Sequence, residues 1–206
     1  MIHFNASELS TKEQYKLISG SVIPRPIAWV TSRGIDGTIN LAPFSFFSGL
    51  SNQLPLLSLA ILRNTNQTMK DTAANILNTK EAVIHTISAP LAKQMNLTAA
   101  SLANNISELD LTNLTTIPSL TVHTPSLAEP LIRFETKLFQ YVPIKQTDGN
   151  VITDMFILQV TDFFFDQTVF NQEKKYILNH NLNPIGRLAG NEYTLLGKTF
   201  TLVRPK

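Results

Sequence analysis

Apolar residues along the chain gather in short runs bounded by turn residues, and most of these runs predict strands. Pro24 and Pro26 force extended backbone ahead of Ile27-Ala28-Trp29-Val30-Thr31, which reads as a strand. Asp36-Gly37 is a strong hairpin turn, because both residues accept the positive φ of a tight turn, so Thr38 to Leu41 is the return strand. Leu54 to Leu62, apolar with a proline at its start, fits a buried strand. Ala82 to Ile87 returns to strand. Leu131 to Pro143 and Val151 to Phe165 are two longer strands joined by the turn Thr147-Asp148-Gly149-Asn150. Tyr193 to Leu196 and Phe200 to Val203 predict a closing hairpin around Gly197.

Helical signals are fewer. Ser10 can cap a short helix in residues 5–20, with Glu13 three residues later as a capping box requires. Asp71 to Lys80 places Ala73, Ile76 and Leu77 on one face, with Asp71 and Thr72 at the start. Pro90 to Ala103 is a further candidate, with Leu91, Met95 and Leu102 roughly in phase. Residues 104–130 carry little periodicity and three prolines (Pro118, Pro125, Pro130), so they read as a loop-rich region. Loops this long are usually functional or tied down. About eight strands with two or three short helices, joined by hairpins, favour an antiparallel barrel over a βαβ sheet. Neither a Gly-x-Gly-x-x-Gly nor a Walker loop occurs.

Length and charge narrow the class. At 206 residues and 22.9 kDa, residues 1–206 read as one domain with room for a sizeable core. Charged residues make up 16%, well below the roughly 25% of an average soluble domain, which hints that a partner copy covers some surface. Seventeen basic and fifteen acidic residues give +2 with no block of like charge, so neither nucleic acid nor a membrane surface is the expected partner. The absence of cysteine excludes disulfides, thiolate metal sites and a thiol nucleophile. Met1 to Ser10 does not have the pattern of a signal peptide, and no apolar run reaches membrane-spanning length, so a cytoplasmic protein is the default expectation. Five Asn-x-Ser/Thr triplets, at Asn5, Asn66, Asn96, Asn105 and Asn113, read as accidents of composition.

Three segments could carry chemistry. The densest is Pro24-Arg25-Pro26-Ile27-Ala28-Trp29-Val30-Thr31-Ser32 with Asn40-Leu41-Ala42-Pro43-Phe44-Ser45-Phe46-Phe47. One strand ends in two hydroxyls, and the other carries an amide, a rigid Ala-Pro, a serine and three phenylalanines. A flat heteroaromatic ring wants such apolar walls with a few placed donors and acceptors. The same residues also suit a buried hairpin whose serines satisfy backbone groups. Arg63, Lys70, Asp71 and Thr72 place cations and a hydroxyl near a helix start, a ready anion site, although Asp71 can cap the helix itself. Arg187, between Gly186 and Gly190 and ahead of Tyr193, can meet an anion or form a surface ion pair. His3, His85, His123 and His180 are scattered without metal-ligand spacing. His85 reads as a packed core residue, and His123 as the better candidate for a functional imidazole. No carboxylate pair or Ser-His-Asp set stands out, so hydrolase chemistry has no support.

Taken together, the Pro24–Val30 segment, the Asp36-Gly37 turn, the Asn40–Phe47 segment, Lys70-Asp71-Thr72 and Ile185-Gly186-Arg187-Leu188 before Tyr193 resemble the flavin reductase-like, FMN-binding split-barrel family of the flavoredoxin type. The matches run in order over roughly residues 20 to 195. The resemblance implies a mainly β, antiparallel, Greek-key-like split barrel with a few short peripheral helices. It implies a homodimer with FMN at or near the interface. It implies that Thr31, Ser32, Asn40, Leu41, Ala42, Pro43 and Ser45 surround the isoalloxazine and ribityl chain. It implies that Arg63, Lys70, Asp71 and Thr72 serve the phosphate. The chain departs from the family pattern at Leu54-Pro55, His85, Thr136 and Leu158-Gln159. The activity implied is hydride transfer from NADH or NADPH to flavin N5, then electron passage to a second flavin, to iron or to an acceptor protein. The alternative is an FMN-binding electron carrier or flavin store without nicotinamide activity. The flavin would do the redox chemistry, so the lack of a catalytic acid–base set fits.

Overall fold

Ser10 and Glu13 set the first helix. In the computed structural model, which describes residues 1–103 and 105–205, the Ser10 hydroxyl accepts from the Glu13 N–H at 3.3 Å, and the Glu13 carboxylate accepts from the Ser10 N–H at 2.9 Å. This satisfies two donors that a helix start otherwise orphans, and α1 runs Thr11–Ser21. The chain then forms β1 (Ala28–Arg33), β2 (Ile39–Phe44), β3 (Phe47–Gly49), β4 (Leu56–Leu62), α2 (Asp71–Thr79), β5 (Glu81–His85) and α3 (Ala92–Leu97). A long connection holds the short pair β6 (Thr116–Ile117) and β7 (Ser126–Leu127). After it come β8 (Ile132–Lys145), β9 (Val151–Phe165), β10 (Phe170–Asn171), β11 (Tyr176–Ile177), α4 (Asn179–Leu182), β12 (Ile185–Arg187) and β13 (Tyr193–Leu195).

Seven strands form one antiparallel sheet in the order β2-β1-β5-β8-β9-β4-β3. Strands β2 and β3 stand at its two ends, yet only Ser45 and Phe46 separate them in the chain. With Cα atoms about 3.8 Å apart along the chain, Phe44 and Phe47 lie within roughly 11 Å of each other. The sheet must therefore roll until its ends meet. The β8–β9 hairpin supplies curvature through three register shifts, at Glu135/Thr136, Leu138/Gln140 and Ile144/Lys145, because bulges sharpen the local twist. Inside the roll, Ala28, Val30, Ala82 and Ile84 from one half meet Leu59, Ile61, Phe156 and Leu158 from the other, with Ala73 and Ile76 of α2 among them. On the opposite face of the β1–β2 hairpin, Trp29 and Leu41 pack with Ile87, Met95, Leu127 and Ile185.

The hairpin turns fall where the sequence places them, with Gly37 and Gly149 at positive φ. Two expectations need correction. The helix expected over Pro90–Ala103 begins as a 3-10 turn over Ala89–Leu91 that leads into α3 but ends at Leu97, where the Thr98 hydroxyl donates to the Met95 carbonyl while accepting from Trp29 Nε1–H. The closing hairpin pairs β13 with β12, Arg187 opposite Tyr193, and residues 196–205 form no strand. Arg187 lies 4.5 Å from the Tyr193 ring centroid, a cation–π contact that favours this pairing. Strand β3, three residues long, is too short to leave a periodic signal in the sequence.

The region expected to be loop-rich is held by side chains on the barrel; its first residue, Asn104, lies outside the described residues. Glu81 accepts from the Thr124 N–H and hydroxyl, and Glu135 from the N–H groups of Leu120 and Thr121. His85 is fully buried. Its Nδ1–H donates to the Trp29 carbonyl at 3.0 Å and its Nε2 accepts the Leu127 N–H at 2.9 Å, an arrangement only neutral imidazole can make. Burial, chiefly, pushes the His85 pKa down to about 4. The unfolded chain therefore binds this proton more readily, so stability is intact above pH 6.5 and falls as pH drops toward 4, by roughly 3 kcal/mol in total. Urea unfolding across that window should show this loss. A Leu variant at His85, whatever its own stability, should lose this component of the slope.

Candidate functional site

The residues expected around a flavin divide over two faces of one hairpin. Side chains alternate along strands, so Ser32, Asn40 and Ala42 share the face turned toward α2, while Thr31, Leu41 and Pro43 lie on the other. On the α2 side, Asn40 Nδ2 donates to Thr72 Oγ1 at 2.7 Å and Asn75 Nδ2 to Ser32 Oγ at 3.1 Å. This network borders a recess of about 400 Å³ whose lining includes Gly34, Asp36, Asn40, Asp71 and Asn75. Partial burial there pushes the Asp71 carboxyl up. On the other face, Thr31 is buried and donates to the Pro125 carbonyl at 2.7 Å, and the Leu41 side chain belongs to the core.

The backbone of β2 is an edge, and an edge strand must dispose of its outward N–H groups. The Leu41 N–H points outward and donates to Glu108 at 3.0 Å. Two residues on, Pro43 has no N–H to expose, which is why proline is tolerated there. Burial, the largest influence, raises the Glu108 pKa.

Beyond Pro43 the edge opens on a cleft of about 1340 Å³. Pro43, Phe44 and Ser45 form one wall; α1 contributes Tyr15, α3 contributes Lys93 and Met95, and the β12–β13 hairpin contributes Arg187 and Tyr193. Arg25 lies beneath, only 6% exposed. Its guanidinium donates to the carbonyls of Ser19, Val22 and Leu188 and, at 3.4 Å, to Ser45 Oγ. It thereby caps the C-terminus of α1 and ties that helix to the end of β12. Gly186 makes the docking feasible: a Cβ there would lie 2.7 Å from Pro24 Cβ.

The expected phosphate group is not gathered around one point by direct bonds. Arg63 is committed to Asp154 through two bonds of 3.1 and 3.0 Å, and its NH1 donates to the Gln67 carbonyl. Tyr141 donates to the same buried carboxylate at 2.7 Å. The bond to Asp154, above all, raises the Arg63 pKa. Lys70 is exposed at the N-cap of α2 and supplies no side-chain cap, so the first-turn N–H groups lack the partner a cap would give. Sequence reasoning singled out Arg187 but missed Lys93 and the α1 wall, because their approach to β2 is a long-range contact with no local signal.

A rolled antiparallel sheet closed by two chain residues is the architecture of split-barrel proteins. A protein with a split barrel domain from Shewanella frigidimarina NCIMB 400 superposes with a TM-score of 0.81 at 18% identity over 100% of both chains, a likeness of fold. The family model described as flavin reductase like domain matches residues 19–181. The chain belongs to the flavin reductase-like family. An uncharacterized protein of Bacillus subtilis (strain 168), YwrF, is 43% identical over 205 residues, covering 100% of each chain. Nitrilotriacetate monooxygenase component B from Bacillus cereus has a similar structure, with a TM-score of 0.94 and 36% identity over 98% of each chain. The 2-nitrobenzoate 2-nitroreductase NbaA from Pseudomonas fluorescens gives 0.87 and 29% identity, over 99% of this chain and 96% of that one.

Asp154 anchors this side of the barrel through Arg63 and Tyr141. Replacing it with Ala should cost about 2 kcal/mol, since it removes charge-assisted bonds and leaves the guanidinium partly buried without its anion. Urea denaturation of Asp154→Ala against the parent protein checks this.

Proposed function

We propose that the protein is an FMN-binding, NAD(P)H-dependent flavin reductase acting as a homodimer, with residues 1–206 working as one unit. The observation that carries this reading is the junction of β2 and β3. There Pro43, Phe44 and Ser45 wall a cleft on one side, while Asn40, earlier on the same strand, donates to Thr72 at the uncapped start of α2 on the other. An elongated ligand with a flat ring at one end and a phosphate at the other fits that order. The helix start offers N–H donors, Lys70 a cation and Thr72 a hydroxyl to the phosphate. Arg63, neutralised by Asp154, would add hydrogen-bonding geometry more than net charge. Pro43 and Ser45 would border the isoalloxazine. Ala42 would let it approach closely, and Asn40, Thr31, Ser32, Leu41 and Asp71 would shape or support the seat.

When bound, FMN would supply the redox chemistry, a hydride acceptor at N5 for the nicotinamide and an electron source for a flavin, iron or protein acceptor. The chain's residues bind, orient and exclude water. Phe44, Phe46 and Phe47 give the junction apolar walls, which strengthen every polar contact made inside it. Homodimerisation is supported by the apolar side chains that α1 and the tail leave exposed, among them Ile18 at 58% and Phe200 at 81%.

An anaerobic absorbance titration of FMN-loaded protein with NADH and NADPH tests the reading. Bleaching of the flavin band well above the rate for free FMN is expected; a bound flavin that neither nucleotide bleaches would leave an electron carrier or flavin store. Lys70→Ala should weaken FMN binding by about 1.5–3 kcal/mol, measured by fluorescence titration, with unchanged affinity removing Lys70 from the phosphate site. Sedimentation equilibrium should return twice the 22.9 kDa chain mass.

A further inference from the structure

The large cleft carries charge of one sign. Arg25, Lys93 and Arg187 line it, and none of its described lining residues is Asp or Glu. Among the described residues the single ion pair is Arg63–Asp154, so no carboxylate lies within 4 Å of any of the three cleft cations. Their donors differ in availability. Arg25 is spent on three carbonyls and a hydroxyl, so it contributes field and not bonds. Arg187 is held in place: its guanidinium carbon lies 4.5 Å from the Tyr193 ring centroid and one NH2 hydrogen goes to the Gly190 carbonyl. That restrains the side chain and leaves Nε and NH1 without a partner among the described bonds. Lys93 is exposed on α3 and also lacks one. Asn96 and Asn191 add neutral donors and acceptors to the lining.

Ordinary small-molecule pockets run from about 300 to 1,000 Å³, and this cleft exceeds them. Its volume and its excess of cations suit a long, polyanionic ligand beside the ring seat at Pro43. A dinucleotide site that selects an unphosphorylated ribose uses a carboxylate to accept its 2′-hydroxyl; one that selects a 2′-phosphate uses cations instead. We infer that the cleft seats the adenosine half of the reductant and that Lys93 and Arg187 receive a ribose 2′-phosphate, making NADPH the preferred nucleotide over NADH. The inference rests on the reductase reading above.

Two measurements keep the two readings apart. The first is anaerobic stopped-flow reduction of the FMN-loaded protein by each nucleotide. NADPH should exceed NADH in kcat/KM by roughly tenfold or more; Lys93→Gln should lower the NADPH value roughly ten- to hundredfold and leave NADH within about twofold, while Lys93→Arg retains the preference. The second is calorimetric titration with 2′,5′-ADP against 5′-ADP, which needs no redox step. Tighter binding of 2′,5′-ADP that is lost in Lys93→Gln supports the site even if neither nucleotide reduces the flavin, an outcome that would sink the reductase reading alone. Equal use of the two nucleotides, a preference for NADH, equal binding of the two ADP compounds or an unaffected Lys93→Gln variant would each overturn the inference.

Discussion

The closure of the barrel depends on the two residues between β2 and β3. A seven-stranded antiparallel sheet whose end strands are joined by Ser45 and Phe46 cannot stay open. It must roll, and once rolled its interior is too small for anything but side chains and the face of α2. The closure is made by the chain, with no β2–β3 ladder among the described strands. That is why a proline is acceptable at Pro43 and why a cleft opens beside it. A fully laddered barrel would offer no such opening to an elongated ligand.

Charge is distributed to match. The one ion pair among the described residues joins Arg63, just past the end of β4, to Asp154 on β9, with the carboxylate fully buried. Such a pair adds geometry more than stability, because desolvating both charges consumes much of their attraction. The cations at the cleft have no such partner, and Arg25, nearly buried, is held by carbonyl dipoles and sits 5.8 Å from the Phe46 ring centroid. Arg63 is thus locked in place on the barrel wall. Arg25, Lys93 and Arg187 leave an uncancelled field at the cleft.

Local chemistry made much of this legible. The Ser10–Glu13 capping box, the Asp36-Gly37 and Asp148-Gly149 turns, the strand at Ile27–Thr31 and the helix starting at Asp71 are each written in a few adjacent residues. Tertiary contacts decided the rest. Nothing near Thr98 in sequence announces that Trp29 will end α3 there. Nothing near Tyr193 announces that Arg187, and not Phe200 to Val203, will pair with it. The β1–β2 segment stands out in the sequence for its density of polar and aromatic groups, but its division between two faces emerges only from the register. Lys93 reaches the cleft from an unrelated helix and leaves no local trace.

The connection from 105 to 130 is held in an unusual currency. Glu81, Glu135 and His85 reach out from the barrel, and the groups they grip are mostly main-chain N–H groups, at Thr124, Leu120, Thr121 and Leu127. Every residue except proline offers that handle. Most side chains along this stretch can therefore drift while its path stays constant, because the information fixing the path resides in the strands. One whole flank of the fold is thereby free to change its side chains with the barrel unaltered, provided the strands go on presenting groups that grip the main chain.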